Sequence, residues 1–205
     1  NGTRQIPWHS CLFSPFPPCA GAIGSREMDL KRAGSPTMKS FSPGPEHALE
    51  LRAALGTFPT GVTVITAATR VEGKVTPVAM PANSFTSVSL NPPLILWCPA
   101  QVSARHDGFV KAVHFSVHIL AEDQRAVAQH FARCGDDFSA IPHHIGPHGV
   151  PHLDGCVTRL DCTTEQVMDG GDHSIILGRV LRAHVGDARP LAFCTGRFSD
   201  IKIDT

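Results

Sequence analysis

From Glu46 onward, short runs of β-branched and other apolar residues alternate with turns rich in Gly, Pro and polar residues. Runs of this kind are typical of β-strands. They predict strands over 61–67, 75–80, 94–98, 113–120, 153–168, 174–185 and 191–198. Helical spacing or capping is limited to 46–55, 103–109 and 123–133. So many strands with so few helices predict an antiparallel barrel decorated by helices.

Charge, hydropathy and cysteine content limit the partners and the compartment that this chain can have. The chain of 205 residues has 18 basic and 18 acidic residues, so its net charge is zero. We therefore expect no nucleic-acid partner, because no basic stripe is present to follow a phosphate backbone. No apolar run approaches the roughly 18 residues that would indicate a membrane span, so we expect no membrane partner. The seven cysteines contain no C-x-x-C pair and indicate a reducing, cytoplasmic compartment.

The first part of the chain differs in composition from the rest. It holds prolines at positions 7, 15, 17, 18 and 36 and has no strand or helix periodicity. We predict that residues 1–40 are a disordered leader or an artefact of the assigned start, with Met38 as a natural beginning. The globular domain is predicted to span residues 46–201.

One polar stretch stands out as a candidate binding site. Six hydroxyl or amide side chains fall within nine residues, at Asn83, Ser84, Thr86, Ser87, Ser89 and Asn91. Open backbone N–H groups and hydroxyls suit a phosphate and a polar heterocycle. The alternative is a Ser/Thr-rich turn that satisfies only its own backbone. A later run, Gly170-Gly171-Asp172-His173, is a candidate for the other half of the site.

Six motifs occur in one order: FPTGVTVITA, MPANSFTSVSLNPPLILWC, FARCGDDF, GVPHLDGCVTRLDC, GGDHSIILGRV and LAFCTGRF. Together they resemble the flavin reductase family, and the resemblance covers about residues 51–199. It implies a mainly β fold, the Greek-key split β-barrel of FMN-binding type, with a few peripheral α-helices. It also implies reduction of FMN or FAD by NAD(P)H, a homodimer, and a flavin-dependent oxygenase that receives the reduced flavin.

The resemblance also assigns roles to individual residues. His173 would lie where the nicotinamide stacks, oriented by Asp172, and these two are the predicted catalytic residues. Arg105 substitutes for a basic residue that relatives often carry at the position of Val102, and Phe198 replaces a frequent Tyr. The predicted cofactor-binding residues are Pro81, Ala82, Asn83, Ser84, Phe85, Ser87, Ser89, Cys98, Pro99, Ala100, Ser103, Arg105, Gly171 and Phe198.

Other interpretations stay open at this point. The chain is alternatively an FMN-binding module that transfers electrons or senses redox state without turnover. A split-barrel oxidase acting on a phosphorylated vitamin is a further alternative, but the sequence lacks the cluster of Lys and Arg that a second phosphate would need. The histidines between 143 and 152 lie in what we predict to be a long flexible loop. Their spacing does not match a standard metal site, and no metal is predicted.

Overall fold

The computed structural model describes residues 38–71 and 74–201. The prediction for residues 1–37 lies outside this part of the chain. Three α-helices are present among the described residues: α1 (Ala48–Leu55), α2 (His106–Val110) and α3 (Arg125–Arg133). Single 3-10 turns occur at Pro45–His47, Glu122–Gln124 and Pro147–Gly149. None of the described helices is long and apolar enough to cross a membrane.

One large antiparallel sheet forms the body of the fold, in the spatial order β3-β2-β6-β9-β10-β5-β4. Its strands are β2 (Thr63–Val71), β3 (Lys74–Ala82), β4 (Thr86–Leu90), β5 (Pro93–Trp97), β6 (His114–Ile119), β9 (Thr158–Gly170) and β10 (His173–Val185). A second sheet joins β1 (Thr60–Gly61), β11 (Leu191–Cys194) and β12 (Arg197–Asp200). A third is the hairpin of β7 (His143–Ile145) and β8 (Pro151–Leu153).

The strand β2 is buried on both faces of the large sheet. Because side chains alternate along a strand, Val64 and its neighbour Ile65 point to opposite sides, and each is fully buried. Ile65 belongs to an inner cluster around Trp97 and Phe115. Val64 belongs to an outer cluster that includes Phe131 of α3. Fully burying each of these large side chains contributes roughly 2–3 kcal/mol before the entropic cost of ordering it.

The predicted mainly β fold is confirmed, and most predicted strands agree with the structure within a few residues. Three differences are informative. The predicted strand 191–198 is a hairpin, because Thr195 and Gly196 have positive φ and turn the chain between β11 and β12. The helix predicted from 103 begins at His106, because the Ser103 hydroxyl accepts the N–H of Arg105 before the helix starts. The loop predicted between 143 and 152 contains the ordered hairpin β7–β8.

Gly178 of β10 lies where the inner core leaves no room for a side chain. A Cβ built there would approach Phe115 Cζ to 2.5 Å and Ile95 Cδ1 to 3.2 Å. Since Phe115 is buried, we expect Gly178→Ala to lower the free energy of unfolding by about 2 kcal/mol. Urea denaturation measures the change. Gly61→Ala is the matched control, because a Cβ there meets nothing within 4 Å. Equal midpoints for the two variants would contradict the prediction.

Candidate active site

Two segments far apart in the sequence are joined through Ser84. This residue lies in the turn between β3 and β4, and Cys98 follows the end of β5. The Cys98 N–H donates to Ser84 Oγ at 3.0 Å, and the Ser84 hydroxyl lies 3.3 Å from the Cys98 carbonyl oxygen. The polar run therefore forms hydrogen bonds beyond its own backbone. Its hydroxyl fixes the position of the loop that follows β5.

That loop is joined in turn to the start of β10. Ala100 and His173 form an isolated antiparallel bridge. The Ser174 N–H donates to the Pro99 carbonyl at 3.0 Å, and the Gln101 N–H donates to the Asp172 carbonyl at 2.9 Å. The structure thus brings together the three segments that the sequence singled out: the turn after β3, the loop after β5 and the turn before β10.

Gln101 is a residue that the sequence analysis missed. Its side-chain amide lies 3.3 Å from the His173 carbonyl and 3.4 Å from Asp169 Oδ1. It ties the loop after β5 to both strands that flank the turn at 171–172. Its place between the predicted binding residues Ala100 and Ser103 was the only available signal, because an amide side chain in a loop has no distinctive pattern.

His173 and Asp172 form a hydrogen-bonded pair at the surface. The distance between His173 Nδ1 and Asp172 Oδ1 is 2.7 Å. This hydrogen bond holds the pKa of the Asp172 carboxyl below its usual value. Because an ionised carboxylate only accepts, Nδ1 of His173 must carry the proton. In the neutral form of the ring, Nε2 is then an acceptor. The positive φ of Gly171 makes the tight turn that leads into this pair.

A groove of about 1440 Å³ opens beside these residues. Its walls include α1, Thr60, Asn83, the Asp172–His173 pair and Phe193. The Thr60 hydroxyl is buried with no hydrogen-bond partner in the described chain. Within the same described chain, the N–H groups of Asn83, Ser84 and Phe85 donate no hydrogen bond. Of these three residues, Asn83 lines the groove. An open N–H there fits a carbonyl oxygen or ring nitrogen of an isoalloxazine.

The remaining predicted residues after β3 take up different positions. Pro81 and Ala82 end β3, where the Ala82 carbonyl accepts the Thr63 hydroxyl at 2.6 Å. Phe85 is partly buried and packs against the inner core. Ser87 and Ser89 lie on β4, a strand at the edge of the large sheet. The hydroxyl-rich run is therefore a turn followed by a strand that the sequence analysis did not predict.

Arg105 has a structural role that the sequence did not indicate. Its guanidinium donates to the Ala79 carbonyl at 2.9 Å and to the Phe131 carbonyl at 2.6 Å. A third contact, 3.4 Å long, reaches the Ala132 carbonyl. These bonds link the loop after β5 to β3 and to the C-terminal end of α3. Its role as a phosphate partner stays a prediction, and so does that of Ser103, whose hydroxyl accepts the Arg105 N–H.

Two further residues at the site have environments that bear on their roles. Burial raises the pKa of the Cys98 thiol, so Cys98 is a neutral thiol near pH 7 and not a nucleophile. Phe198 stacks edge-on against Phe193, with ring centroids 5.4 Å apart, and the Arg125 guanidinium lies 5.0 Å from the Phe198 ring centroid. Of this aromatic pair, Phe193 is the ring that lines the groove.

Comparison with known proteins places these features in a family. The family described as "Flavin reductase like domain" matches residues 55–202. The chain is 46% identical over 163 residues to the FMN reductase (NADH) SmoA of Agrobacterium fabrum, covering 80% of this chain and 91% of that protein. It is also 46% identical over 132 residues to the reductase component of the flavin-dependent trigonelline monooxygenase of Acinetobacter baylyi. That match covers 64% of this chain and 42% of the longer relative.

Solved structures agree with this assignment. The NADH:FAD oxidoreductase SgcE6 of Streptomyces globisporus C-1027 superposes with a TM-score of 0.73 at 36% identity, covering 82% of this chain and 96% of that one. The same oxidoreductase has been solved in complex with NAD and FAD fragments. The predicted split-barrel fold is confirmed by these matches. The chain belongs to the flavin reductase like domain family.

Proposed function

We propose that the protein is an NADH-dependent flavin reductase that reduces FMN or FAD and supplies the reduced flavin to a flavin-dependent oxygenase. The observation that carries the proposal is the joining of three distant segments by Ser84, Ala100 and Gln101 beside one open groove. The names of the relatives, which are NADH-dependent FMN or FAD reductases and reductase components of monooxygenases, support the same reaction.

The residues after β3 provide the electrostatic part of the site. A bound flavin supplies the redox chemistry, since its ring accepts a hydride from reduced nicotinamide. The N–H groups of Asn83, Ser84 and Phe85 would hold the flavin ring by its polar edge and would stabilise negative charge that develops there. These donors are backbone groups in a turn fixed by the Ser84–Cys98 hydrogen bonds, so little reorganisation is needed when charge appears.

His173 orients the second substrate. With Nδ1 donating to Asp172, Nε2 of the neutral ring accepts a hydrogen bond from the carboxamide of a nicotinamide. The Ala100 bridge and the Gln101 amide fix the backbone of His173, so that its position relative to the turn after β3 is defined. In the proposal, His173 and the turn after β3 would hold the two flat rings against each other, which is the main requirement for hydride transfer.

The proposal includes a homodimer in which a second copy covers the groove beside α1. Three large apolar side chains there are strongly exposed: Leu49 at 79%, Leu55 at 68% and Phe58 at 75%. All three line the groove. Contiguous apolar surface of this kind is typical of an interface. A cytoplasmic location completes the proposal and is supported by the five free cysteines of the described chain.

Steady-state NADH oxidation tests the proposed reaction. With FMN or FAD in large excess, we expect many turnovers per protein, followed as the loss of the near-ultraviolet absorbance of reduced nicotinamide. A parallel titration of bound flavin distinguishes the reductase from a redox module. Tight one-to-one binding without turnover, or no NADH consumption with either flavin, would contradict the proposal. Comparing kcat/KM for NADH and NADPH tests the choice of nucleotide.

A further inference from the structure

A second cavity lies beside the large sheet, away from the flavin groove. It is lined by β6, β9, β10 and the hairpin β7–β8, and its volume is about 640 Å³. We call it the histidine pocket, because five histidines line it: His114, His144, His148, His152 and His184. Along β10, His184 follows His173 by eleven residues, which is roughly 36 Å of extended strand.

The only carboxylate among the residues that line the histidine pocket is already engaged. Asp161 Oδ1 accepts from the Ser116 hydroxyl at 3.0 Å and from Arg159 Nε at 3.1 Å. His152 Nε2 lies 3.3 Å from the same oxygen, and His184 Nε2 lies 3.2 Å from Oδ2. Four side chains therefore surround this carboxylate. His144 pairs outside the lining, with its Nδ1 3.1 Å from Asp154 Oδ1. No second carboxylate among the described residues lines the pocket to accept from Arg182.

Two guanidinium groups in the pocket keep donors without an acceptor in the described chain, and one buried imidazole nitrogen has no partner there. Arg159 is largely buried, with a side chain only 14% exposed, yet its Nη groups donate no hydrogen bond to the described residues. Arg182 also lines the pocket and forms no ion pair within the described chain. Nδ1 of His114 is buried without a hydrogen-bond partner among those residues. Free guanidinium donors around a cavity favour an anion, since they form charge-assisted hydrogen bonds with oxyanions.

The pocket also has flat and apolar walls. The rings of His114 and His148 stack, with centroids 3.7 Å apart and an angle of 11° between their planes. Phe115 and Val150 contribute apolar surface nearby. The volume lies within the range of roughly 300–1,000 Å³ for small-molecule sites and far exceeds what one inorganic ion needs.

We propose that the histidine pocket binds a small organic anion that consists of a planar body with a phosphate or carboxylate group. The oxyanion lies against the free guanidinium donors of Arg159 and Arg182, which suit its geometry. The planar body packs against the imidazoles of His114 and His148. This site is separate from flavin reduction, so its existence does not depend on the proposed function.

Isothermal titration calorimetry on the full chain tests this site with three probes: phenyl phosphate, benzoate and inorganic phosphate. We expect phenyl phosphate or benzoate to bind one to one, and whichever binds tighter identifies the oxyanion. Inorganic phosphate should bind more weakly, because it lacks the planar body. Arg182→Gln should weaken binding of the preferred probe about tenfold, through loss of a charge-assisted hydrogen bond.

Matched variants exclude trivial explanations. Arg133→Gln removes an exposed arginine on α3 that is not part of the pocket, and it should bind the probe like the unaltered protein. Arg182 is exposed, so Arg182→Gln should keep its thermal midpoint and its NADH oxidation rate. The proposal is overturned if neither organic probe binds at about 10 mM, a concentration that detects even the weakest specific sites. It is also overturned if Arg182→Gln binds as tightly as the unaltered protein.

Discussion

Replacing His173 with alanine is expected to lower kcat/KM for NADH about 30-fold, while flavin affinity and the thermal midpoint stay close to those of the unaltered protein. The loss corresponds to about 2 kcal/mol, the usual range for a hydrogen bond that positions a substrate in the reactive arrangement. The fold should survive, because the His173 side chain is 42% exposed and its backbone contacts do not depend on the ring. This result rests on the proposed function.

Two further variants separate positioning from general damage. Asp172→Asn should cause a smaller loss in the same direction, because the imidazole stays but Nδ1 loses its ionised acceptor. His130→Ala removes a histidine from α3, outside the groove, and should leave the kinetics unchanged. Initial rates at varied NADH and saturating FMN measure the effect on kcat and KM separately. Unchanged kinetics in His173→Ala would remove this residue from the reaction.

Much of the fold is predictable from local composition, and the exceptions have physical reasons. β2 is recognisable because Val64, Ile65 and Thr66 are β-branched and buried on a central strand. β4 is not, because an edge strand with mostly exposed Thr and Ser residues has neither an apolar run nor a clear alternation. The hairpin β7–β8 escapes prediction for a different reason. Its His, Pro and Gly residues resemble a loop, and contacts with the sheet, such as the Thr66 hydroxyl on the Pro151 carbonyl, order it.

The candidate site shows the same division between local and distant information. The turns around Ser84 and His173 are visible in the sequence as motifs. The bonds between them are not, since Ser84 and Cys98 are 14 residues apart and Gln101 and His173 are 72 apart. Arg105 shows how a residue is misassigned when its distant contacts are unknown. A cation near a predicted phosphate loop suggests an anion partner, whereas its nearest acceptors in the structure are backbone carbonyls from two other elements.

His118 is the clearest case of a structural role that cannot be seen in the sequence. In the strand VHFSVHIL it has no distinctive neighbour, yet it is fully buried between β2 and β8. Its Nδ1 lies 3.1 Å from the Val64 carbonyl and therefore carries a proton, and its Nε2 accepts the Leu153 N–H at 3.1 Å. The neutral ring satisfies both partners. Protonation would place a charge in the interior and turn Nε2 into a second donor facing the Leu153 N–H.

Acid should therefore destabilise the protein before its carboxylates titrate. Burial lowers the pKa of His118 to about 3, against about 6.5 in an unfolded chain. Between these pH values the unfolded chain binds one more proton than the folded chain. The contribution of neutral His118 to the free energy of unfolding is therefore complete above pH 6.5 and falls as the pH is lowered. This one group should remove about 2 kcal/mol by pH 5 and about 4 kcal/mol by pH 3.

Urea denaturation at pH 7.5, 6.5, 5.5 and 5.0, at one protein concentration, measures this dependence. His118→Gln should be less stable than the unaltered protein at pH 7.5, because one amide cannot reproduce the geometry of both ring hydrogen bonds. It should lose less stability on going to pH 5.0, since the group that gains a proton on unfolding is gone. The Cε1 proton resonance of His118 should also show no titration down to pH 5. A pH dependence in His118→Gln as steep as in the unaltered protein, or a His118 resonance that titrates near pH 6.5, would show that the ring is not held neutral by the fold.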